Sequence, residues 1–218
     1  MIEKIGMQRY AAISTPSEHV IFVLDNLFSR KKEREALHIA EIGIGIGATT
    51  LEILKRLSDK DFYYMFDFHK EVDELFEDIK SSKCSIKKYG NTNKLWDSYC
   101  WTLADFYLNE KNNKNIFDLA YLDGAHTFFH DAPACCVLKE LVKVEGYLVL
   151  DDVKWSYAKS PTSNPKINPM ILEKMTDGQI NIPHIELILK LFLDTDKRFV
   201  RFYDESLSDR RAIYKKIA

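Results

Sequence analysis

Along the chain, short apolar runs alternate with stretches in which apolar positions return every three or four residues. Five runs have the length and composition of strands, at residues 37–42, 62–66, 85–89, 119–122 and 147–150. Segments of helical period separate them, and this alternation predicts βαβ units that build a parallel sheet covered on both faces. After the first run, Leu51, Leu54 and Leu57 share one helical face; before the fifth, Cys135, Leu138 and Leu141 or Val142 do the same. Both stripes are read as core.

The ends of the chain follow other patterns. Thr15 and Glu18 have the spacing of a capping box, with Pro16 at the first helical position, which predicts a helix through about Phe28 ahead of the first strand. Residues 198–204 and 211–217 carry the Val, Phe and Tyr content of strands around a polar turn at 205–209, which fits a closing antiparallel hairpin. Between the fifth strand and a helix from about His184, residues 153–183 contain Pro161, Pro165, Pro169, Gly178 and Pro183. Such a stretch suits a lid or substrate loop rather than one regular element. The expectation is a single α/β domain over residues 1–218, with residues 1–36 as an N-terminal helical segment.

Composition narrows the partners. The 218 residues are 46% apolar and 29% charged, enough to bury a substantial core. With 31 basic and 33 acidic side chains and no long run of Lys or Arg, nucleic acid is not an expected partner. Residues 1–14 hold no apolar core of signal-peptide type, and no stretch approaches the ~20 apolar residues that span a bilayer, so no membrane association and a cytoplasmic location are expected. Cys84, Cys100, Cys135 and Cys136 lack CxxC spacing and are read as reduced core thiols.

The first candidate chemistry follows the first strand: Glu41-Ile-Gly43-Ile-Gly45-Ile-Gly47-Ala48, with Thr49 opening a helix. Glycines there let the backbone turn sharply and let a ligand approach the main chain, which favours a nucleotide-type ligand over a bare turn. Gly43-x-Gly45-x-x-Ala48 also satisfies the dinucleotide fingerprint, so NAD stays open as the ligand. Asp67 ends the second strand ~20 residues downstream, where a carboxylate meets ribose hydroxyls in either case.

Glu41-x-Gly43-x-Gly45-x-Gly47 resembles the first motif of class I S-adenosylmethionine-dependent methyltransferases, over about residues 37–153. The resemblance implies a Rossmann-like, doubly wound, seven-stranded, mainly parallel sheet with a C-terminal antiparallel hairpin. It also implies that Gly43, Gly45 and Gly47 face the methionine part of the cofactor, that Glu41 lies near its amino group, and that Asp67 holds the ribose. Leu119-Ala-Tyr-Leu-Asp123-Gly-Ala-His126 and Gly146-Tyr-Leu-Val-Leu-Asp151-Asp152-Val153 resemble more narrowly the metal-dependent O-methyltransferases of the macrocin type, with catechol-type enzymes as distant relatives. That likeness implies a divalent cation, commonly magnesium, on Asp123, Asp151 and Asp152.

Physical reasoning points the same way. Parallel strands bring their C-terminal ends to one edge, and three carboxylates converging there repel unless a cation or a bound proton relieves them. All-oxygen ligands favour magnesium, calcium or manganese. The competing reading has Asp151 and Asp152 capping a strand end with no metal. His126, three residues after Asp123, sits at the offset where the related enzymes carry a general base. Imidazoles titrate near ~6.5 and can take a hydroxyl proton at neutral pH; a His that only positions substrate is the alternative, and His130 is the second choice. After the third strand, Tyr89-Gly90-Asn91-Thr92-Asn93 offers no clear acid, which leaves Asn91 as the adenine contact.

The resulting expectation is an S-adenosylmethionine-dependent, magnesium-assisted O-methyltransferase acting on a small hydroxylated metabolite: a sugar, sugar nucleotide or natural-product intermediate. His126 and Asp123 are its catalytic pair, and Trp155, Tyr157 and Trp96 are candidates for an apolar side of the pocket. The rivals are an NAD-dependent oxidoreductase and a non-catalytic S-adenosylmethionine-binding partner protein.

Overall fold

The five strand-type runs form β1 (His38–Ile42), β2 (Phe62–Phe68), β3 (Ser85–Asn91), β4 (Phe117–Leu122) and β5 (Val142–Leu150) in the computed structural model, which describes residues 1–30, 35–109 and 114–218. Between and before them lie α1 (Glu18–Arg30), α2 (Ala48–Arg56), α3 (His69–Ile79), α4 (Tyr99–Asn109) and α5 (Phe128–Leu141). The short helices α6 (Met170–Lys174), α7 (Asp177–Asn181) and α8 (His184–Ile188) follow, and strands β6 (Phe199–Phe202) and β7 (Ala212–Lys216) close the chain.

All seven strands join one sheet in the order β3-β2-β1-β4-β5-β7-β6. The first five strands are mutually parallel, and β7 inserts antiparallel between β5 and β6. This is the Rossmann-like methyltransferase arrangement that the resemblance implied.

Alternation within each strand explains the apolar runs. On β1, Ile39 faces one layer while Ala40 and Ile42 face the other; on β4, Leu119 and Tyr121 oppose Ala120 and Leu122. Helices α1, α2 and α3 cover the first face through Leu24, Ile53 and Leu75. Helices α4, α5 and α8 cover the second through Phe106, Leu138 and Ile188.

Several local expectations need correction. Helix α1 begins at Glu18, and Ser17 caps it by accepting from the Val20 N–H at 3.4 Å. Thr15 is not the cap, and Glu18 instead accepts from the Ser208 hydroxyl at 2.6 Å. On α2 the buried residues are Thr49, Thr50 and Ile53, with Leu51 and Leu54 half-buried, because the helix turns its small polar residues onto Glu41 and the N-terminal segment. The α5 stripe of Cys135, Leu138 and Leu141 is buried as expected, but Val142 already belongs to β5.

All four cysteines are free thiols, yet only Cys84 and Cys135 are core; Cys100 is half-buried and Cys136 exposed. On α5 the buried face takes Ala134 and Cys135, and Cys136, rotated by about 100° from Cys135, falls on the exposed side. Residues 153–183 form no single element: a 3₁₀ turn at Tyr157–Lys159 precedes α6 and α7, and α7 has its own capping box from Thr176 and Gln179. Among the described residues no helix is long and apolar enough to cross a membrane.

Candidate active site

Strand register sets the frame of the site. Ile42 pairs with Phe66 and Leu122, and Leu122 pairs with Leu150. One residue further on, Gly43, Asp67, Asp123 and Asp151 therefore stand in a row across four strand ends. The ladder continues into that row: the N–H groups of Gly43, Asp123 and Asp151 donate to the carbonyls of Phe66, Ile42 and Leu122 at 2.9, 2.8 and 3.0 Å.

The glycine turn is required by backbone geometry. Gly43, Gly45 and Gly47 have φ of 84°, 53° and 87°, in the left-handed region. A Cβ on Gly43 would lie 1.9 Å from the Asp123 carbonyl oxygen, whereas one on Gly45 would project into open space. Gly43 thus lets two strand ends approach, and Gly45 leaves room for a ligand. Gly47 begins α2 with no side-chain cap and faces Leu75.

Asp67 ties the turn to β2. Its Oδ2 accepts from the Ile44 N–H at 2.9 Å and its Oδ1 from the Phe68 N–H at 2.7 Å. Burial raises its pKa, against the opposing pull of those amide bonds. Glu41 lies deeper: its Oε2 accepts from the Thr50 hydroxyl at 2.8 Å and the Tyr63 hydroxyl at 2.5 Å. Burial, reinforced by the charge of Asp67, outweighs these bonds and pushes the Glu41 carboxyl up to about 7.

A cavity of about 1030 Å³ opens over this edge. Its wall includes Glu41, Gly43, Gly45, Asp67 and Asn91 from one half of the sheet, and Asp123, His126, Asp151 and Asp152 from the other. Ile13 and Thr15 of the N-terminal segment, and Trp155 and Ser160 after β5, close its sides.

The far half is a network of carboxylates and cations. The Tyr121 hydroxyl lies 2.9 Å from Asp123 Oδ2 and 2.7 Å from Asp151 Oδ2. Asp151 is 1% exposed; its Oδ1 accepts from the Asp152 N–H at 2.6 Å and sits 2.9 Å from Arg211 Nε and 3.4 Å from Arg210 Nε. Arg210 Nε also donates to Asp152 Oδ1 at 2.8 Å. Burial opposes ionisation of Asp151, but Arg211, Tyr121 and Arg210 together outweigh it and hold its carboxyl below the usual range. Burial and the Asp151 charge push Asp123 well upward.

His126 Nε2 stands 3.6 Å from both Asp123 Oδ1 and Asp152 Oδ2, and its ring lies 6.0 Å from that of Trp155. His126 and Asp152 are both left-handed, with φ of 54° and 50°. Non-glycine residues adopt this region where surrounding structure holds them, often at functional sites. Around His126 the holder is a bracket on its two neighbours: Tyr99 donates to Asp131 at 2.7 Å and accepts from the Ala125 N–H at 3.0 Å, while Asp131 accepts from the Thr127 N–H at 2.8 Å.

Residues 40–153, more than half of the chain, match a family described as a methyltransferase domain. The chain belongs to that family. No curated protein matches it. Among solved structures, it is similar to the O-methyltransferase TomG from Streptomyces achromogenes, solved in complex with SAM, at 10% identity and a TM-score of 0.61, covering 100% of this chain and 89% of that one. A protein from Corynebacterium glutamicum gives 13% identity, a TM-score of 0.59, and coverage of 100% and 89%. A methyltransferase from Geobacter sulfurreducens gives 9%, 0.57, and coverage of 100% and 86%. At these identities the likeness is one of fold.

In this methyltransferase, then, the sequence-derived candidates Glu41, Gly43, Gly45, Asp67, Asn91, Asp123, His126, Asp151 and Asp152 line one cavity; Gly47 stands behind its wall. Asn91 is 3% exposed and its amide donates to the Thr92 carbonyl at 3.2 Å. His130 also lines the cavity, with Nδ1 2.8 Å from the Thr127 hydroxyl. Trp155 is on the wall as expected, but Trp96 is 89% exposed, and Tyr157 packs against Trp155 and His184 instead of lining the cavity.

Sequence reasoning missed Phe68, an exposed ring on the wall beside Asp67, and it missed Tyr121, Arg210 and Arg211. The arginines change the reading of the three acids. Both Asp151 oxygens already have partners, and Asp152 Oδ1 is held by Arg210. Among the described residues, no three His, Cys, Asp or Glu side chains are grouped to hold a metal ion. Asp151 and Asp152 face guanidinium groups as counter-charges, and a set with two of its three acids so paired does not fit the divalent cation expected on Asp123, Asp151 and Asp152.

Proposed function

We propose that this methyltransferase uses S-adenosylmethionine and transfers the methyl group to an oxygen of a small hydroxylated metabolite, such as a sugar, sugar nucleotide or natural-product intermediate. The observation that carries this reading is the shared cavity, which joins the glycine turn and Asp67 at one end to His126 at the other. Gly45 leaves the turn open to a ligand; on this reading Asp67 would meet the ribose hydroxyls, Glu41 an ammonium group, and Phe68 and Asn91 the base, all of them on the cavity wall. Bound there, the cofactor supplies an electrophilic methyl carbon on a good leaving group.

The protein's own part is positioning and proton removal. An acceptor hydroxyl seated between the cofactor and His126 would pass its proton to the imidazole as its oxygen bonds to the methyl carbon and the sulfur–methyl bond breaks. Asp152, whose Oδ2 stands 3.6 Å from Nε2, would stabilise the imidazolium that results. Free thiols and a near-neutral chain suit the cytoplasm as its location.

Calorimetric titration with S-adenosylmethionine and, separately, with NAD tests the cofactor assignment. Micromolar binding of the first and none of the second is expected, and NAD binding alone overturns the reading. A His126→Ala variant that retains full turnover at neutral pH removes the general-base role and leaves the cofactor assignment intact.

A further inference from the structure

The acidic cluster at the far end of the cavity has its counter-charges built in. Two of its three carboxylates, Asp151 and Asp152, meet two guanidiniums from the strand-proximal end of the β6–β7 connection, while Asp123 faces the Tyr121 hydroxyl and His126. Their placement follows from the sheet. Leu150 pairs with Ala212 in the antiparallel β5–β7 ladder, so Arg211 falls opposite Asp151 and Arg210 opposite Asp152. The Val153 N–H donates to the Arg210 carbonyl at 2.8 Å and fixes that continuation.

We propose that Arg210 and Arg211 occupy the place of a divalent cation in this site, so that the methyltransferase needs no metal, and that Arg210 is the positive group that meets the acceptor oxygen. Arg211 is the fixed member: its side chain is 8% exposed and its Nε is shared between Asp151 and the Tyr121 hydroxyl. Arg210 is 50% exposed and lines the cavity, anchored by Asp152, with His126 on the other oxygen of the same carboxylate. A guanidinium keeps its charge at every working pH, and its planar fork of donors can stabilise a developing oxyanion. Seated there, it lowers the cost of taking the acceptor proton, which leaves on His126. The role of Arg210 toward the acceptor rests on the methyl-transfer reading; the exclusion of a metal rests on the carboxylate–arginine geometry alone.

The test is manganese binding followed by electron paramagnetic resonance on the full chain after chelation, beside calorimetry with S-adenosylmethionine on the same preparation. The wild-type protein is expected to leave added manganese free and to keep its melting temperature in the presence of a chelator. Arg210→Ala, a change at a half-exposed side chain, frees Asp152 and is expected to raise manganese affinity roughly tenfold or more. Stoichiometric micromolar manganese binding by the wild type that is lost in Asp152→Asn overturns the proposal. No binding in either wild type or Arg210→Ala overturns the placing of Arg210 in the cation's position and leaves Arg211 alone there. Failure to bind S-adenosylmethionine counts against the proposed function alone, because the manganese readout does not depend on it.

Discussion

At the scale of single residues, the glycine turn separates two kinds of requirement. Gly43→Ala must place a methyl group against the Asp123 carbonyl, 1.9 Å away, in a left-handed backbone. Gly45→Ala meets nothing within 4 Å and carries only the left-handed penalty of about 1–2 kcal/mol. Gly43→Ala is therefore expected to lose far more stability in chemical denaturation than Gly45→Ala. Gly45→Ala should fold and lose cofactor affinity, because its methyl enters the ligand space. Equal stability losses in the two variants would contradict this division.

Glu41 adds a pH dependence at the same scale. Burial raises its pKa from 4.5 to about 7, so the fold prefers the neutral acid. Stability from this group is fully present below pH 4.5 and is lost as pH rises through about 7. A bound ammonium group beside it has the opposite preference, for the carboxylate. Cofactor binding is thus expected to release a proton near neutral pH and to weaken by up to roughly tenfold per unit as the solution is acidified below about 7. Calorimetry in buffers of different ionisation enthalpy counts that proton. In Glu41→Gln its release should vanish, and its persistence there would assign it elsewhere.

At the scale of elements, the terminal hairpin does more than close the sheet. Removing Arg211 leaves Asp151, 1% exposed, without its nearest cation, a change expected to cost about 3–5 kcal/mol. Arg211→Met with Asp151→Asn removes both charges and is expected to recover much of that loss in urea unfolding, which a purely local packing effect of Arg211 would not show. This element also marks the limit of what the chain makes legible. Strands β1, β2, β4 and β5 could be read because both faces are largely buried and their apolar runs are nearly continuous, and the edge strand β3 from its Ile86 and Tyr89 between turn residues. The strand-end candidates followed from them, since parallel strands share one edge. Arg210 and Arg211 could not be read that way: their meeting with Asp151 and Asp152 depends on β7 inserting beside β5, a pairing between distant segments that no local pattern encodes. The same holds for α2, whose buried Thr49 and Thr50 are set by Ser17, Glu41 and Tyr63 rather than by apolar period. Asp131, buried and polar on α5, is shared between the Thr127 N–H at the start of its own helix and Tyr99 of α4, and the second contact is not local.

At the scale of the molecule, the cavity draws on both ends of the chain. Ile13 and Thr15 precede the sheet, the glycine turn follows β1, Trp155 and Ser160 follow β5, and Arg210 and Arg211 precede β7. In the unfolded chain these groups are scattered over about 200 residues, so a ligand that fills the cavity binds the folded state and hardly the unfolded one. At a concentration of about 100 times its dissociation constant such a ligand stabilises by about 2.7 kcal/mol, which for a chain of this size raises the melting temperature by about 5–11 °C. S-adenosylmethionine is expected to produce that rise in a thermal unfolding scan, and NAD none. Gly45→Ala should reduce the rise at a fixed ligand concentration, through weaker binding, while Trp96→Ala, a change at an exposed ring off the cavity wall, should leave it intact. A rise equal in wild type and Gly45→Ala would place the ligand away from the glycine turn, and with it the methyl donor away from His126.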